Sequence, residues 1–553
     1  AMVGQPTEVS GVISSNTTWS AASSPYILTS GVLVNEDVTL TIQPGTEVRF
    51  DEGVSLLVNG ELIAQGTDGD EIIFTSNQFN PAAGDWGSLL FHDSSQDAVF
   101  NEDGTYFSGS IIEHCIIEYG NGVKLSLGNP FINYSSIRNN EEYGININSD
   151  DESNVGSVLK ISNSIISYNK KGINIYGRGK YIINNNEISD NSTGNGGNDD
   201  LNYGAGIRAS YGDQINISNN IFRSNTAGYM GGGFFGTANL YNNKFIGNNA
   251  VYAGAIYTSG GSVVGNTLYD NTVSEFGGAI YINHNNADSV YYNKVINNYA
   301  SGSGGGIYSI ESGAIISNNV IANNSTGESG PMYGKGGGVY VGGELDNSST
   351  LITFNQIINN TSYISGAGIY VTCNGSLVGN NTLFQNKTSN QGPVDFRCEN
   401  CYGSSPGGSV YSNTVGIGRK GSDPQANPPN IQNNNFINNQ STFDLSYANL
   451  EYSLDATDNY WNTIVDTEIQ NLIYDFDDNF TFGAVTTAPI ASEPNTDAPI
   501  SPPSNVAKQA SGSNVVLTWD ANPESDVAGY KIHYGNFTGY SYTTNTDLGN
   551  VTT

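Results

Sequence analysis

The sequence predicts an all-β chain wound as a parallel β-helix, a solenoid of roughly a dozen coils. Three observations carry this. A phrase of apolar pair, two polar residues, apolar residue, Asn and a glycine-rich step into Ile-Tyr repeats from about residue 163 to 386, as in Asn219-Asn220-Ile221-Phe222-Arg223-Ser224-Asn225 followed by Gly231-Gly232-Gly233-Phe234-Phe235. Its second Asn recurs at Asn186, Asn220, Asn243, Asn266, Asn293, Asn319, Asn355 and Asn381, never closer than the 23 residues from Asn220 to Asn243. A short period stretched by loops of variable length marks a solenoid. The apolar runs, such as Ala314-Ile315-Ile316 and Gly338-Val339-Tyr340, are short and cut by Gly and Asn, which is strand-and-turn punctuation rather than a helical period.

Each part of the chain then has a place. Residues 1–100 hold alternating strands such as Val38-Thr39-Leu40-Thr41-Ile42 and Ile72-Ile73-Phe74-Thr75-Ser76 without the Asn repeat, and are expected to be capping coils. Residues 101–484 form the body. Its Asn corners suit left-handed backbone and amide-to-amide stacking between coils. His114 is assigned to the second-Asn column of an early coil, and Cys115 beside it reads as a buried small hydrophobe. An insertion at about 388–429 carries Cys398 and Cys401, which with Cys373 suggest one disulfide, since three thiols without a nearby His fall short of a four-ligand zinc site. Asp466 to Ile473 is expected to be a short helix with Asp466 as N-cap, beside a Trp461 that covers the last coil. Residues 485–503, rich in Pro, Ala, Thr and Ser, read as a linker.

Composition narrows the function. The 553 residues carry 52 acidic and 19 basic side chains, a net charge of −33. Nucleic acid and anionic membranes are poor partners for such a chain, and no apolar run is long enough to span a bilayer. Only 13% of residues are charged. A surface of Asn, Ser, Thr, Gly and Tyr suits carbohydrate and a secreted or cell-surface location, with a signal peptide already removed.

Strand alternation sets an outward column of Asn148, Tyr176, Arg208, Phe235, Tyr257, Tyr281, Tyr308, Tyr340 and Tyr370. Phe235, Tyr257, Tyr281, Tyr308, Tyr340 and Tyr370 form the candidate ligand-binding stripe, on which sugar rings would stack; the other reading is that they pack β-sheet beneath loops. Tyr176, Arg178, Lys180 and Arg208 gather positive charge against the acidic background. They are the candidate catalytic set if the chain removes the proton next to a uronate carboxylate, and scattered surface cations if it does not. Asp199 and Asp200 are the candidate ligands for a calcium ion. The oxygen-rich loops Asp68-Gly69-Asp70-Glu71 and Asp475-Phe476-Asp477-Asp478 are further candidates, none with EF-hand spacing.

The repeat resembles the right-handed parallel β-helix superfamily of secreted proteins, and Phe245-Ile246-Gly247-Asn248 and Gly277-Gly278-Ala279-Ile280 resemble the tetrapeptides of polymorphic outer-membrane proteins. Gly84-Asp85-Trp86-Gly87 resembles phrases from the early coils of such secreted proteins. Residues 504–553, with Trp519 and Tyr530-Lys531-Ile532-His533-Tyr534, look like the first half of a fibronectin type III domain, implying further C-terminal domains of the same chain. The expected function is a secreted scaffold that binds an extracellular polysaccharide or cell-surface glycan through its aromatic face. The alternatives are a calcium-assisted polysaccharide lyase or glycoside hydrolase, and a structural surface-layer or filament component.

Overall fold

In the computed structural model the described residues are 6–149, 158–194, 202–210, 212, 214–283, 288–310, 313–328, 333–342, 350–372, 376–389, 394–395, 409–410, 413–418, 429–447, 453–480, 482–512, 514–534 and 544–551. One coil shows how the phrase becomes structure. The strand Ile256–Thr258 forms face 1, Ser262–Val264 forms face 2, a corner at Asn266 leads to Thr267–Tyr269 on face 3, and a second corner at Asn271 leads to the short Thr272–Val273 on face 4. A Gly-Gly corner then returns the chain to face 1 at Ile280–Asn283. All four faces are parallel ladders, and among the described residues fifteen strands run through face 2, three more than the dozen the sequence suggests. Faces 1 and 3 join into one sheet because the long strand Tyr26–Val34 pairs with both Glu47–Phe50 and Leu56–Val58. The early segment therefore already winds in register with the body.

The core is a stack of identical inward positions. On face 1 Ile145, Ile173, Ile207, Phe234, Ile256, Ile280, Ile307, Val339 and Ile369 pair in succession, and all are fully buried. At the Gly-Gly corners successive backbones almost touch: a Cβ on Gly278 would lie 2.1 Å from the Gly305 carbonyl oxygen.

Two asparagine ladders hold the corners. Asn220 Nδ2 donates to Asn243 Oδ1 (3.0 Å) and to the Ile183 carbonyl (2.9 Å), while the Asn220 backbone N–H shares the same Asn243 oxygen at 2.9 Å. The pattern continues from Asn186 through Asn434 to Asn459, and the second ladder runs from Asn140 through Asn248 to Asn439. Each amide is thus satisfied away from water, which is what permits its burial. His114 is one residue off its expected column. It takes the left-handed corner position (φ 47°) and stacks at 5.0 Å on Tyr134, which has the same conformation, whereas the amide of Cys115 enters the ladder column by bonding Ser135 Oγ. Cys115 itself is buried and its thiol pKa is pushed up by that burial.

The expected insertion contains a strand of face 1. Asn413–Gly418 pairs with Ile369–Thr372 on one side and Phe443–Tyr447 on the other, with Val415 inward. Cys373, Cys398 and Cys401 lie outside the described residues. The closing helix is Asp466–Gln470, and Val465 holds the N-cap position without a side-chain bond, so Asp466 is the first helical residue rather than the cap. Ile473 leaves the helix to pair with Leu445 on face 1. Trp461 stacks on Phe436 with centroids 4.5 Å apart and seals the coil below.

Residues 485–503, read from composition as a linker, lie along face 3. Asn495 bonds Asn435 Oδ1, the Asn433 carbonyl and Asn380 Oδ1; Pro499 and Ile500 offer their carbonyls to Thr382 and Gln356. Beyond this strap stand two antiparallel hairpins, Ala507–Ser511 with Asn514–Thr518 and Tyr530–Tyr534 with Thr544–Gly549.

Candidate functional site

The outward column of face 1 is set by strand register. From Leu90 it reads Lys124, Asn146, Asn174, Arg208, Phe235, Tyr257, Tyr281, Tyr308, Tyr340 and Tyr370. Arg208 therefore neighbours Asn174, and Tyr176 does not stand in its column: Tyr176 pairs with Asn148 and Ser210, two positions further along the strand. The offset has a plain cause. The strand Lys171–Gly177 is long and holds two inward isoleucines, Ile173 and Ile175, and Ile207 pairs with the first of them.

The four residues expected to act together fall on different elements, Tyr176 and Arg208 on neighbouring strands of face 1. Arg178 is exposed in the turn after the Lys171–Gly177 strand, and Lys180 opens a strand of face 2 between Val158 and Gln214. Tyr181 closes the turn by donating its hydroxyl to the Arg178 carbonyl at 2.8 Å. Asp199 and Asp200 lie outside the described residues. Among the described residues no group of three or more His, Cys, Asp or Glu is arranged to hold a metal ion. The Asp475 carboxylate accepts from the backbone amides of Asp477 and Val485, which orders that loop from within.

What the register does assemble is a polar, cationic patch that sequence reasoning missed. Lys124 sits 3.8 Å from Glu142 and one column step from Asn146, which accepts a 2.9 Å bond from Asn174 Nδ2. Asn174 is buried with its Oδ1 unbonded. Lys171 is buried, its ammonium 5.6 Å from the centre of the Tyr143 ring. Burial and the nearby Glu142 raise the Tyr143 pKa, and the Arg208 guanidinium opposes them. The signal was the Lys170-Lys171 doublet and the alternation of Val123-Lys124-Leu125. Val123-Lys124-Leu125 lies before the clear repeats, where register cannot be counted from sequence, and Lys170-Lys171 falls at their start, ahead of the first repeated second Asn at Asn186.

The aromatic half of the column is continuous but differs from the expected platform. Its rings stack on one another along the axis, with centroid separations of 4.7 Å from Phe235 to Tyr257, 5.2 Å to Tyr281, 4.9 Å to Tyr308, 4.6 Å to Tyr340 and 5.3 Å to Tyr370. Ring faces are thus sandwiched, and edges and hydroxyls point outward. Tyr257, Tyr308 and Tyr370 are buried and the others half-buried. A second row of Tyr203, Tyr229, Tyr252, Phe276 and Tyr333 leans against them. Burial pushes the Tyr340 pKa up to about 12 and raises those of Tyr308 and Tyr257, so these phenols stay protonated; the Tyr257 oxygen accepts from Asn283 Nδ2. Lys335 caps the row, donating to Tyr370 Oη at 3.3 Å, and burial lowers its pKa.

No curated protein and no solved structure matches the chain. A family model does: residues 11–303, more than half of the 553, match the pectate-lyase-like β-helix domain. That span covers the early coils, the cationic patch and the first half of the aromatic column, and the parallel ladders are the architecture its description names; the chain belongs to the pectate-lyase-like β-helix family.

Proposed function

We propose that the protein is a secreted or cell-surface scaffold that binds an acidic extracellular polysaccharide on face 1. The observation that carries this is the register of Lys124, Asn146, Asn174 and Arg208 on four successive strands, in a chain whose net charge is −33. Cations gathered on a rigid sheet against so acidic a background favour an anionic ligand, and hydrogen-bonding amides between them suit sugar hydroxyls. The phenol edges that continue the column extend the same face with donors. Residues 504–553 fit this role as part of a fibronectin type III spacer, with Trp519 packed edge-on to Tyr530 at 5.2 Å.

A lyase is the second reading, favoured by the buried Lys171 beside Tyr143 and Arg208. A guanidinium could neutralise a uronate carboxylate while a neighbouring base removes the adjacent proton, with a calcium ion as a possible aid. One experiment separates the readings. In gels containing polygalacturonate the protein is expected to be retarded, and Arg208→Ala and Lys124→Ala each to weaken retardation several-fold, with no rise in ultraviolet absorbance from unsaturated products. A rise abolished by Arg208→Ala establishes the lyase instead. Unretarded migration without product overturns both.

A further inference from the structure

The corner between faces 2 and 3 carries a second regular row, on the far side of Asn266 from face 1. Over five successive coils its residues read Tyr241-Asn242-Asn243-Lys244, Val264-Gly265-Asn266-Thr267, Tyr291-Tyr292-Asn293-Lys294, Ser317-Asn318-Asn319-Val320 and Thr353-Phe354-Asn355-Gln356. The strand pairings place Tyr241, Val264, Tyr291, Ser317 and Thr353 in one column. They place Lys244, Thr267, Lys294, Val320 and Gln356 in another. Aromatic residues therefore appear at every second coil, an interval of roughly 9–10 Å at normal strand spacing. Lysines accompany the first two, and the intervening coils offer only small or polar side chains.

These rings differ from those of face 1 in what they present. Tyr292 is 66% exposed, Tyr241 and Phe354 36% each. Among the described residues none of the three is sandwiched between two other rings, and Tyr292 meets only Tyr291, tilted and 6.4 Å away. Tyr292 and Phe354 both hold the left-handed corner conformation, φ 57°, at a position that Asn and Gly fill in neighbouring coils. Bulky side chains are disfavoured there, and strain of this kind, when retained at exposed aromatics, points to use rather than to packing. Lys244 and Lys294 are exposed and make no ion pair among the described residues.

We propose that this corner is a second glycan-binding site, for an extended polysaccharide with a disaccharide repeat and one anionic group per repeat. Every second sugar turns the same face to the protein, so one ring per two coils stacks under it, and the carboxylate of each repeat meets Lys244 or Lys294. A polymer charged on every unit would set half its carboxylates over Val264-Gly265-Asn266-Thr267 and Ser317-Asn318-Asn319-Val320, which offer no cation.

The test is affinity electrophoresis of the full chain through hyaluronan, whose uronate and N-acetylhexosamine units alternate, beside polygalacturonate and a neutral β-1,4-glucan. Tyr292→Asn and Phe354→Asn restore the residue that other coils carry at this corner, so they preserve the fold. The protein is expected to be retarded most by hyaluronan, tenfold less in the Tyr292→Asn/Lys294→Ala double variant, and equally in Arg208→Ala. No retardation by hyaluronan, or retardation unchanged by the double variant, overturns the proposal. Loss in Arg208→Ala alone assigns the binding to face 1 and equally overturns it.

Discussion

Asp288 lies fully buried where the chain turns onto face 2, its Oδ1 3.4 Å from the Thr258 hydroxyl and its Oδ2 without a hydrogen bond. Desolvation raises its pKa to about 7, with the Thr258 bond opposing. Because the folded pKa stands above the unfolded one, the fold favours the protonated acid: stability is full below about pH 4 and is lost as pH rises through about 7. Asp288→Asn keeps the shape and removes the charge. It should raise stability at pH 8 by roughly 2–4 kcal/mol and leave it unchanged at pH 4, read from thermal unfolding at the two pH values. An equal gain at both would place its effect elsewhere. Nothing in the sequence around Asp288 marked it as buried, because burial there depends on which loop residue meets the next coil. Arg208 failed to be placed for a related reason. Its own strand was legible, but its partner was not, since Lys171–Gly177 offers two isoleucines and sequence does not say which is paired.

The ladders are the elements on which the coils depend, and the sequence showed them best. The second-Asn column from Asn186 to Asn381 was legible by spacing, because one side chain must recur at one corner whatever loop intervenes. Its upstream continuation was not, since Ser164 and Ser135 replace Asn there and still bond in line. Asn271 illustrates the energetics: its Nδ2 donates to Asn298 Oδ1 and to the Phe245 carbonyl, and its own Oδ1 accepts from Asn248. Asn271→Ala leaves buried donors and acceptors on both adjacent coils unmatched, and should cost about 3–5 kcal/mol by chemical denaturation. Asn459 ends its row, and bonds no further ladder amide in the described residues, so Asn459→Ala should cost less. Equal costs at both positions would count against a continuous ladder. The aromatic column was legible as a row of residues but not as a surface. Alternation says which side chains leave the core, whereas whether rings turn faces outward or toward each other depends on packing across coils.

At the scale of the whole molecule the strap joins segments more than a hundred residues apart, as in the bonds from Asn495 to Asn380 and from Gln356 to Ile500. Composition identified 485–503 as irregular chain and could not reveal that its polar groups find partners on face 3. Asn495→Ala together with Gln356→Ala removes three of those bonds and leaves the one from the Asn495 backbone amide to Asn435 Oδ1. Limited proteolysis should then cut within 486–503 several-fold faster while the coils stay intact. Unchanged cleavage would mean that the strap is held elsewhere.

Residue-for-residue pairing between coils also makes the molecule a ruler with 23-residue graduations, the spacing of Asn220, Asn243 and Asn266. Duplicating one such unit would lengthen the solenoid by a single pitch without disturbing any inward position. Yet it would change the parity of whatever is counted along the outside. An extra coil placed between Tyr241 and Tyr291 would put three steps where there are now two, and a pattern of period two would fall out of phase beyond it. Growth by duplication is therefore free for the core and constrained for the surface. Units would be gained or lost in pairs wherever the outer row is read by a repeating partner.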